Sequence, residues 1–137
     1  MRSGETLIKL AKYKVDSVQK LISAAERTHS DLNKKLESLD CAKAKELELV
    51  SHNPELCANY NAFLKGWNMQ RANVEASLAG VEDQLRALAI DLAEAFEEQK
   101  KFETIEERRQ ARAAEQAKKR ELAQMDEFAI TRAARAS

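Results

Sequence analysis

Apolar residues recur in alternating steps of three and four along the first 39 residues of the chain. This heptad spacing places a narrow apolar seam along one side of a helix, and a second helix must cover that seam. The seam positions are Ile8, Ala11, Val15, Val18, Ile22, Ala25, His29, Leu32, Leu36 and Leu39. His29 interrupts the seam, and a polar residue at such a position is expected to set the register of the two helices.

The heptad pattern weakens after Leu39. Lys43 occupies a position where an apolar residue is expected, and the seam is predicted to resume at Leu47 and Val50. A slip of this kind indicates a local stutter in the coiled coil.

The stretch SHNPEL contains the strongest helix break in the sequence, at Pro54. The residue before a proline avoids the helical region, whereas proline itself suits the first turn of a helix. We therefore predict one helix over about residues 5–51, a turn over about 52–54 and a second helix over about 55–134. Ser3 or Thr6 is the predicted N-cap of the first helix, and Asn53 or Ser51 that of the second.

A second heptad seam follows the break. It comprises Tyr60, Leu64, Trp67, Arg71, Val74, Leu78, Val81, Leu85, Leu88, Leu92 and Ala95. Gly66 and Gly80 lower the helix propensity of this segment but are not expected to end the helix. Beyond Phe96, Phe102 and Ile105, charged residues fill the seam positions as well.

These two seams predict an all-α fold: a single domain over residues 1–137, formed by an elongated antiparallel two-helix coiled-coil hairpin. The low glycine (3) and proline (1) counts and the 34% of charged residues fit this class. The second helix is much longer than the first. The pairing of the first helix with the second is therefore expected to end near residue 103, so that the C-terminal part of the second helix overhangs.

Two groups of residues are candidates for partner binding. Leu122, Met125, Phe128 and Ala129 form an apolar stripe on the overhang, and an exposed amphipathic helix usually binds a partner. Tyr60, Phe63 and Trp67 place three large aromatic rings just after the break. Two explanations of this cluster are open. One is packing between the helices, and the other is a role as a partner anchor, since aromatic residues are enriched at interface hot spots.

The sequence offers no set of residues for catalysis, metal binding or cofactor binding. Its three glycines are isolated, so no phosphate-binding loop occurs, and a two-helix seam has no concave pocket. The 23 basic and 23 acidic residues balance, which argues against a nucleic-acid partner. No segment has the length and apolarity of a signal peptide or a membrane span. We expect a cytosolic protein that is not an enzyme and has no cofactor, with Cys41 and Cys57 as free thiols.

Three motifs resemble the FliJ family of flagellar export proteins. The C-terminal QMDEFAITRAAR is similar to the M-D-E-F-A element near the end of that family's chains. EERRQ, from Glu106 to Gln110, resembles an E-R-Q element at a similar distance before it, and NYNAFL, from Asn59 to Leu64, resembles a stretch just after the family's bend. The segment KGWNMQRANV departs from the more regular series of enterobacterial members.

The resemblance implies a soluble component of the flagellar type III export apparatus that supports flagellum assembly and motility. Its joined ends would enter the ring of the export ATPase FliI through Leu122, Met125, Asp126, Glu127, Phe128 and Ala129. Tyr60, Phe63 and Trp67 would contact the export gate protein FlhA. The family also implies possible contacts with export chaperones, a monomer in isolation, and a position at the cytoplasmic face of the inner membrane, at the flagellar base.

Two other functions remain open from the sequence. One is the analogous stalk of a virulence type III secretion system. The other is a structural or chaperone-like coiled-coil adaptor that forms a homodimer through its overhang.

Overall fold

A computed structural model describes residues 2–136, with side chains from Gly4 to Ala136. Helix α1 spans Arg2–His52, a short 3-10 turn spans Pro54–Leu56, and helix α2 spans Cys57–Ala136. The two helices pack against each other as an antiparallel hairpin, and no strand occurs between residues 2 and 136. The predicted all-α helical hairpin is confirmed.

Helix α1 begins earlier than the sequence indicated. It starts at Arg2 rather than near Glu5, so Ser3 and Thr6 lie within the helix and the prediction that one of them caps it is wrong. The Ser3 side chain lies outside the described residues.

The turn between the helices forms at Asn53 and Pro54, as the proline predicts. Asn53 leaves the helical region, with φ −135° and ψ 82°, and Pro54 opens the 3-10 turn that precedes α2. Asn53 is the N-cap residue of this turn, as predicted, but its side chain makes no capping hydrogen bond there. The Asn53 amide donates a hydrogen bond to the Leu49 carbonyl at 3.2 Å, and the Ser51 hydroxyl donates to Glu48 at 2.6 Å. Both side chains therefore donate to carbonyls in the last turn of α1, and the Leu49 carbonyl also accepts a hydrogen bond from the Asn53 backbone N–H at 3.0 Å.

Residues 15–94 form one compact unit, which contains the turn. Val18, Ala25 and Leu88 form a buried cluster in this unit, and four other apolar residues pack against it: Ile22, Val81, Leu85 and Leu92. His29 lies on the seam, and its Nε2 donates to the Glu82 carboxylate on α2 at 3.2 Å. The Asn33 amide bonds the other ring nitrogen at 3.2 Å, so both imidazole nitrogens have partners.

The predicted stutter after Leu39 is wrong, because the heptad register continues without a slip. Lys43, Glu46 and Val50 are half-buried at the next seam positions, whereas Leu47 is 52% exposed. Polar side chains occupy two of these positions, and the aliphatic stem of a lysine or glutamate can cover apolar surface while its charge stays in water. The sequence therefore has polar residues at two seam positions, Lys43 and Glu46, although the helix continues to pack through the same face.

Residues 1–14 and 95–137 form a second compact unit. Ala11, Ala95 and Glu106 are buried in it, and Gln99, Phe102 and Arg109 are half-buried at the intervening seam positions. The seam of α2 thus extends to Arg109, past the expected end of pairing near residue 103. Every residue from Gln110 to Ala136 is exposed, which confirms that the longer C-terminal helix overhangs.

Candidate partner-binding surfaces

The apolar stripe near the C-terminus is fully accessible. Leu122 is 55% exposed, Met125 67% and Phe128 69%, on a helix that continues to Ala136. Ile130 is 71% exposed but lies about 160° from Phe128 around the helix, so it adds apolar area on another side of the same segment. It lies off the heptad line, and the sequence analysis did not include it. We call Leu122, Met125, Phe128 and Ala129 the terminal stripe.

Acidic side chains adjoin the terminal stripe. Asp126 and Glu127 are exposed, and neither takes part in a salt bridge among the described residues. Thr131 donates its hydroxyl proton to the Glu127 carbonyl at 3.0 Å, a bond within the helix that leaves the carboxylate unengaged. The segment therefore presents apolar contacts together with two carboxylates to a partner.

Tyr60 and Phe63 form a stacked aromatic pair just after the turn. Their ring centroids lie 6.2 Å apart, with an angle of 25° between the ring planes, and both residues are half-buried. An offset stacked pair at this distance is a favourable arrangement and restrains both side chains. The pair therefore offers a restrained, partly accessible aromatic surface.

Trp67 is placed differently from the other two aromatic residues. It is 8% exposed, and its indole N–H donates a hydrogen bond to the Leu39 carbonyl of α1 at 2.6 Å. The Lys43 ammonium lies 4.4 Å from the ring centroid and the Arg71 guanidinium 5.4 Å, both within cation–π range. Trp67 thus packs between the helices, and its position explains why a lysine at residue 43 fits the seam.

Arg71 connects Trp67 to charged groups on both helices. It donates to the Asp40 carboxylate of α1 at 2.5 Å and to Glu75 of its own helix at 3.2 Å. An arginine that stacks on an aromatic ring while it binds carboxylates uses both recognition properties of the guanidinium. This cluster stabilises the packing of α1 on α2 next to the Tyr60–Phe63 pair.

The EERRQ motif forms a hydrogen-bonded cluster around a buried carboxylate. Arg109 binds Glu106 through two nitrogens, at 2.7 Å and 3.1 Å, and the Gln110 amide donates to it at 3.4 Å. Gly4 of α1 faces this carboxylate so closely that a Cβ atom there would collide with Glu106. The glycine therefore makes room for the charged group at the end of the seam, a contact that the sequence analysis did not predict.

The contact between Glu106 and Arg109 is expected to make the stability of the protein sensitive to acid. Hydrogen bonds from Arg109 hold the pKa of the Glu106 carboxyl below its ordinary value, although desolvation opposes the shift. A lowered pKa in the folded state means that the stabilisation is present above the pKa of the unfolded chain and is lost as the pH falls through the folded value.

We therefore expect the melting temperature of the wild type to fall more steeply than that of Glu106→Gln between about pH 5 and pH 3. Glu107→Gln, at the adjacent exposed position, is the matched control and should follow the wild type. Parallel melting curves for wild type and Glu106→Gln would show that the Arg109 contact does not stabilise the fold.

The described residues contain shallow surface grooves and no group of three or more histidine, cysteine or acidic side chains placed to hold a metal ion. Cys41 and Cys57 are both exposed free thiols. Between Arg2 and Ala136, neither helix has a stretch that combines the length and apolarity required to cross a membrane.

Comparison with known proteins gives a consistent result. The sequence model of a protein family described as "Flagellar FliJ protein" matches residues 4–137. Two curated proteins named "Flagellar FliJ protein", from two strains of Caulobacter vibrioides, are each 26% identical to this chain over 129 residues. The match covers 94% of this chain and 93% of each relative. No solved structure matches the chain significantly.

Proposed function

Because the chain belongs to the FliJ family of flagellar proteins, we propose that it is the stalk of the flagellar export apparatus and links the export ATPase to the export gate. The family associates the chain with flagellar protein export, as a structural component. The proposed stalk inserts its overhang into the ring of the ATPase FliI. The Tyr60–Phe63 region contacts the gate protein FlhA.

The overhang is the observation that carries this proposal. Residues 110–136 form about 40 Å of helix that nothing in the structure covers. A single helix without tertiary packing is marginally stable in water, and exposed apolar side chains along it favour binding to a partner. A narrow helix with the terminal stripe near its end has a suitable shape for the central opening of a ring.

Tyr60 and Phe63 support the second contact. Their stacked rings are partly accessible, and aromatic residues supply large contact areas at interfaces. Trp67, the third residue of the predicted gate-binding set, would act through packing. It holds α1 and α2 together and so fixes the position of the exposed pair.

The proposed location follows from these partners. A stalk bound to FliI and FlhA would lie at the cytoplasmic face of the inner membrane, at the flagellar base. Export chaperones are further partners in this proposal.

Titration of the full chain with purified FliI and, separately, with the cytoplasmic part of FlhA tests the proposal. We expect saturable binding to both proteins, and faster ATP hydrolysis by FliI as rings assemble. Sedimentation of the chain without partners should show a monomer. A stable homodimer that binds neither protein would favour the adaptor function, and binding only to the ATPase of a virulence secretion system would assign the stalk to that system.

A further inference from the structure

Four cations on the first part of the overhang and the turns before it lie on one side of α2. At about 100° per residue, Lys101, Arg108, Arg112 and Lys119 fall within about 40° of one another around the axis of α2. Glu103, Glu107 and Glu121 lie on the other side of the helix, near Lys100 and Lys118, and Glu97 and Glu115 flank the four cations. We call the four cations the basic stripe. It extends over about 27 Å along the helix and ends before the terminal stripe begins.

The positive charge of the basic stripe is largely uncompensated. All four residues are exposed, and no salt bridge among residues 4–136 involves Lys101, Arg108 or Arg112. Arg112 donates to the Arg108 carbonyl at 3.4 Å, a contact that leaves its charge unpaired. Lys119 has a carboxylate nearby, that of Glu115 at 3.7 Å, but both side chains are well exposed and such a pair is weak.

Two neighbouring arginines in this segment differ in whether their charge is used within the hairpin. The Arg109 guanidinium turns toward the seam and binds Glu106, whereas Arg108, one residue earlier, points away from the hairpin. Arg108 lines a shallow groove with Lys100, Lys101, Thr104, Ile105 and one carboxylate, that of Glu97, and Ile105 is 50% exposed there. Cations beside an accessible apolar side chain form a surface that fits a protein partner.

We propose that the basic stripe docks on a carboxylate-rich surface at the entrance of the ring that receives the terminal stripe. This inference rests on the proposed function and adds the chemistry of the contact. The charge pattern favours a protein over nucleic acid or a lipid surface. The reverse face of the same helix carries Glu103, Glu107 and Glu121, so a polyanion that surrounded the helix would meet these carboxylates, and Ile105 is too little apolar area for membrane anchoring.

The two stripes would contribute to binding in different ways. Apolar contacts act at short range and mainly set how slowly the complex dissociates. Surface charges act over a Debye length, accelerate association and align the partners. Because the four cations lie on one side of the helix, the basic stripe would favour one rotational orientation of the helix within the ring.

The test compares the wild type with a variant that carries Lys101→Gln, Arg108→Gln, Arg112→Gln and Lys119→Gln. The control carries Glu103→Gln, Glu107→Gln and Glu121→Gln on the opposite face. Association with FliI is followed by stopped flow. At about 50 mM salt we expect the basic-stripe variant to associate about tenfold more slowly than the wild type. The difference should nearly vanish at about 500 mM salt, because the charges are then screened.

The control should associate at least as fast as the wild type, and circular dichroism should show equal helix content for all three proteins. Equal association rates of the wild type and the basic-stripe variant at low salt would overturn the inference, whereas failure of the wild type to bind FliI at all would overturn the proposed function.

Binding of the same three proteins to poly-L-glutamate tests the basic stripe independently of the proposed binding to FliI. The wild type and the control should bind this probe, and the basic-stripe variant should bind about tenfold more weakly at low salt. Equal binding by all three proteins would show that the basic stripe does not bind acidic protein surfaces, even if FliI proved not to be the partner. Stripe-dependent binding to phosphatidylglycerol vesicles or duplex DNA that exceeded binding to poly-L-glutamate would overturn the choice of a protein partner.

Discussion

Phe128→Ala is expected to weaken binding to the export ATPase by more than about tenfold. Phe128 is the largest apolar residue of the terminal stripe, and its side chain is exposed in the isolated chain. If it is desolvated in the ring, its truncation should cost about 2 kcal/mol or more, and each 1.4 kcal/mol is about a factor of ten in affinity. The measurement is a titration of FliI with the wild type and the variant.

Phe96→Ala is the matched control for this experiment. It makes the same chemical change at another exposed position of α2, 47% accessible, outside the terminal stripe. This control should bind FliI as the wild type does, and both variants should bind FlhA normally. Phe128→Ala should leave the melting temperature nearly unchanged, because the residue lies beyond the end of the seam. Unchanged FliI binding would show that the terminal stripe is not the insertion element, and a large drop in melting temperature would show that Phe128 packs in a core.

Trp67→Ala is expected to lower the free energy of unfolding by about 3–5 kcal/mol. The substitution removes a buried indole, its hydrogen bond to the Leu39 carbonyl and the ring on which Lys43 and Arg71 stack. A two-helix seam has few other contacts through which neighbouring side chains could close the cavity. Urea denaturation followed by circular dichroism measures the loss.

Two further variants separate the contributions at this position. Trp67→Phe keeps an aromatic ring but removes the hydrogen bond, and it should cost less than Trp67→Ala. Tyr60→Ala truncates a half-buried ring and should reduce stability much less while it weakens binding to FlhA. A small stability loss for Trp67→Ala, combined with a large loss of FlhA binding, would show that Trp67 is a direct gate contact and that its packing against α1 matters little.

Much of the fold follows from local patterns. The heptad spacing predicted two helices with one apolar side each, and Pro54 predicted the turn between them, since both effects act through the backbone or through near neighbours along a helix. The overhang followed from the unequal helix lengths. The terminal stripe was predictable for the same reason, whereas the exposed Ile130 lies off the heptad line.

The errors at the seam have a common physical origin. In an apolar heptad pattern, a polar side chain counts as an interruption. The pattern therefore predicts a slip in the heptad register at Lys43 and an end of the α2 seam at Ala95. In the structure Lys43 lies over the Trp67 ring, and Glu106 fits against Gly4 with Arg109 as its partner. Each polar residue is accommodated by a group that is distant in sequence.

The helices, the turn and the unpaired C-terminal segment thus follow from the order of the residues alone, because periodicity and backbone restrictions are local properties. The end of the seam, the hydrogen bonds that close α1, and the inward packing of Trp67 beside the partly accessible Tyr60 and Phe63 are visible only in the folded hairpin. These features depend on which residues of α1 and α2 face each other, and that register is set by the sum of contacts across the hairpin.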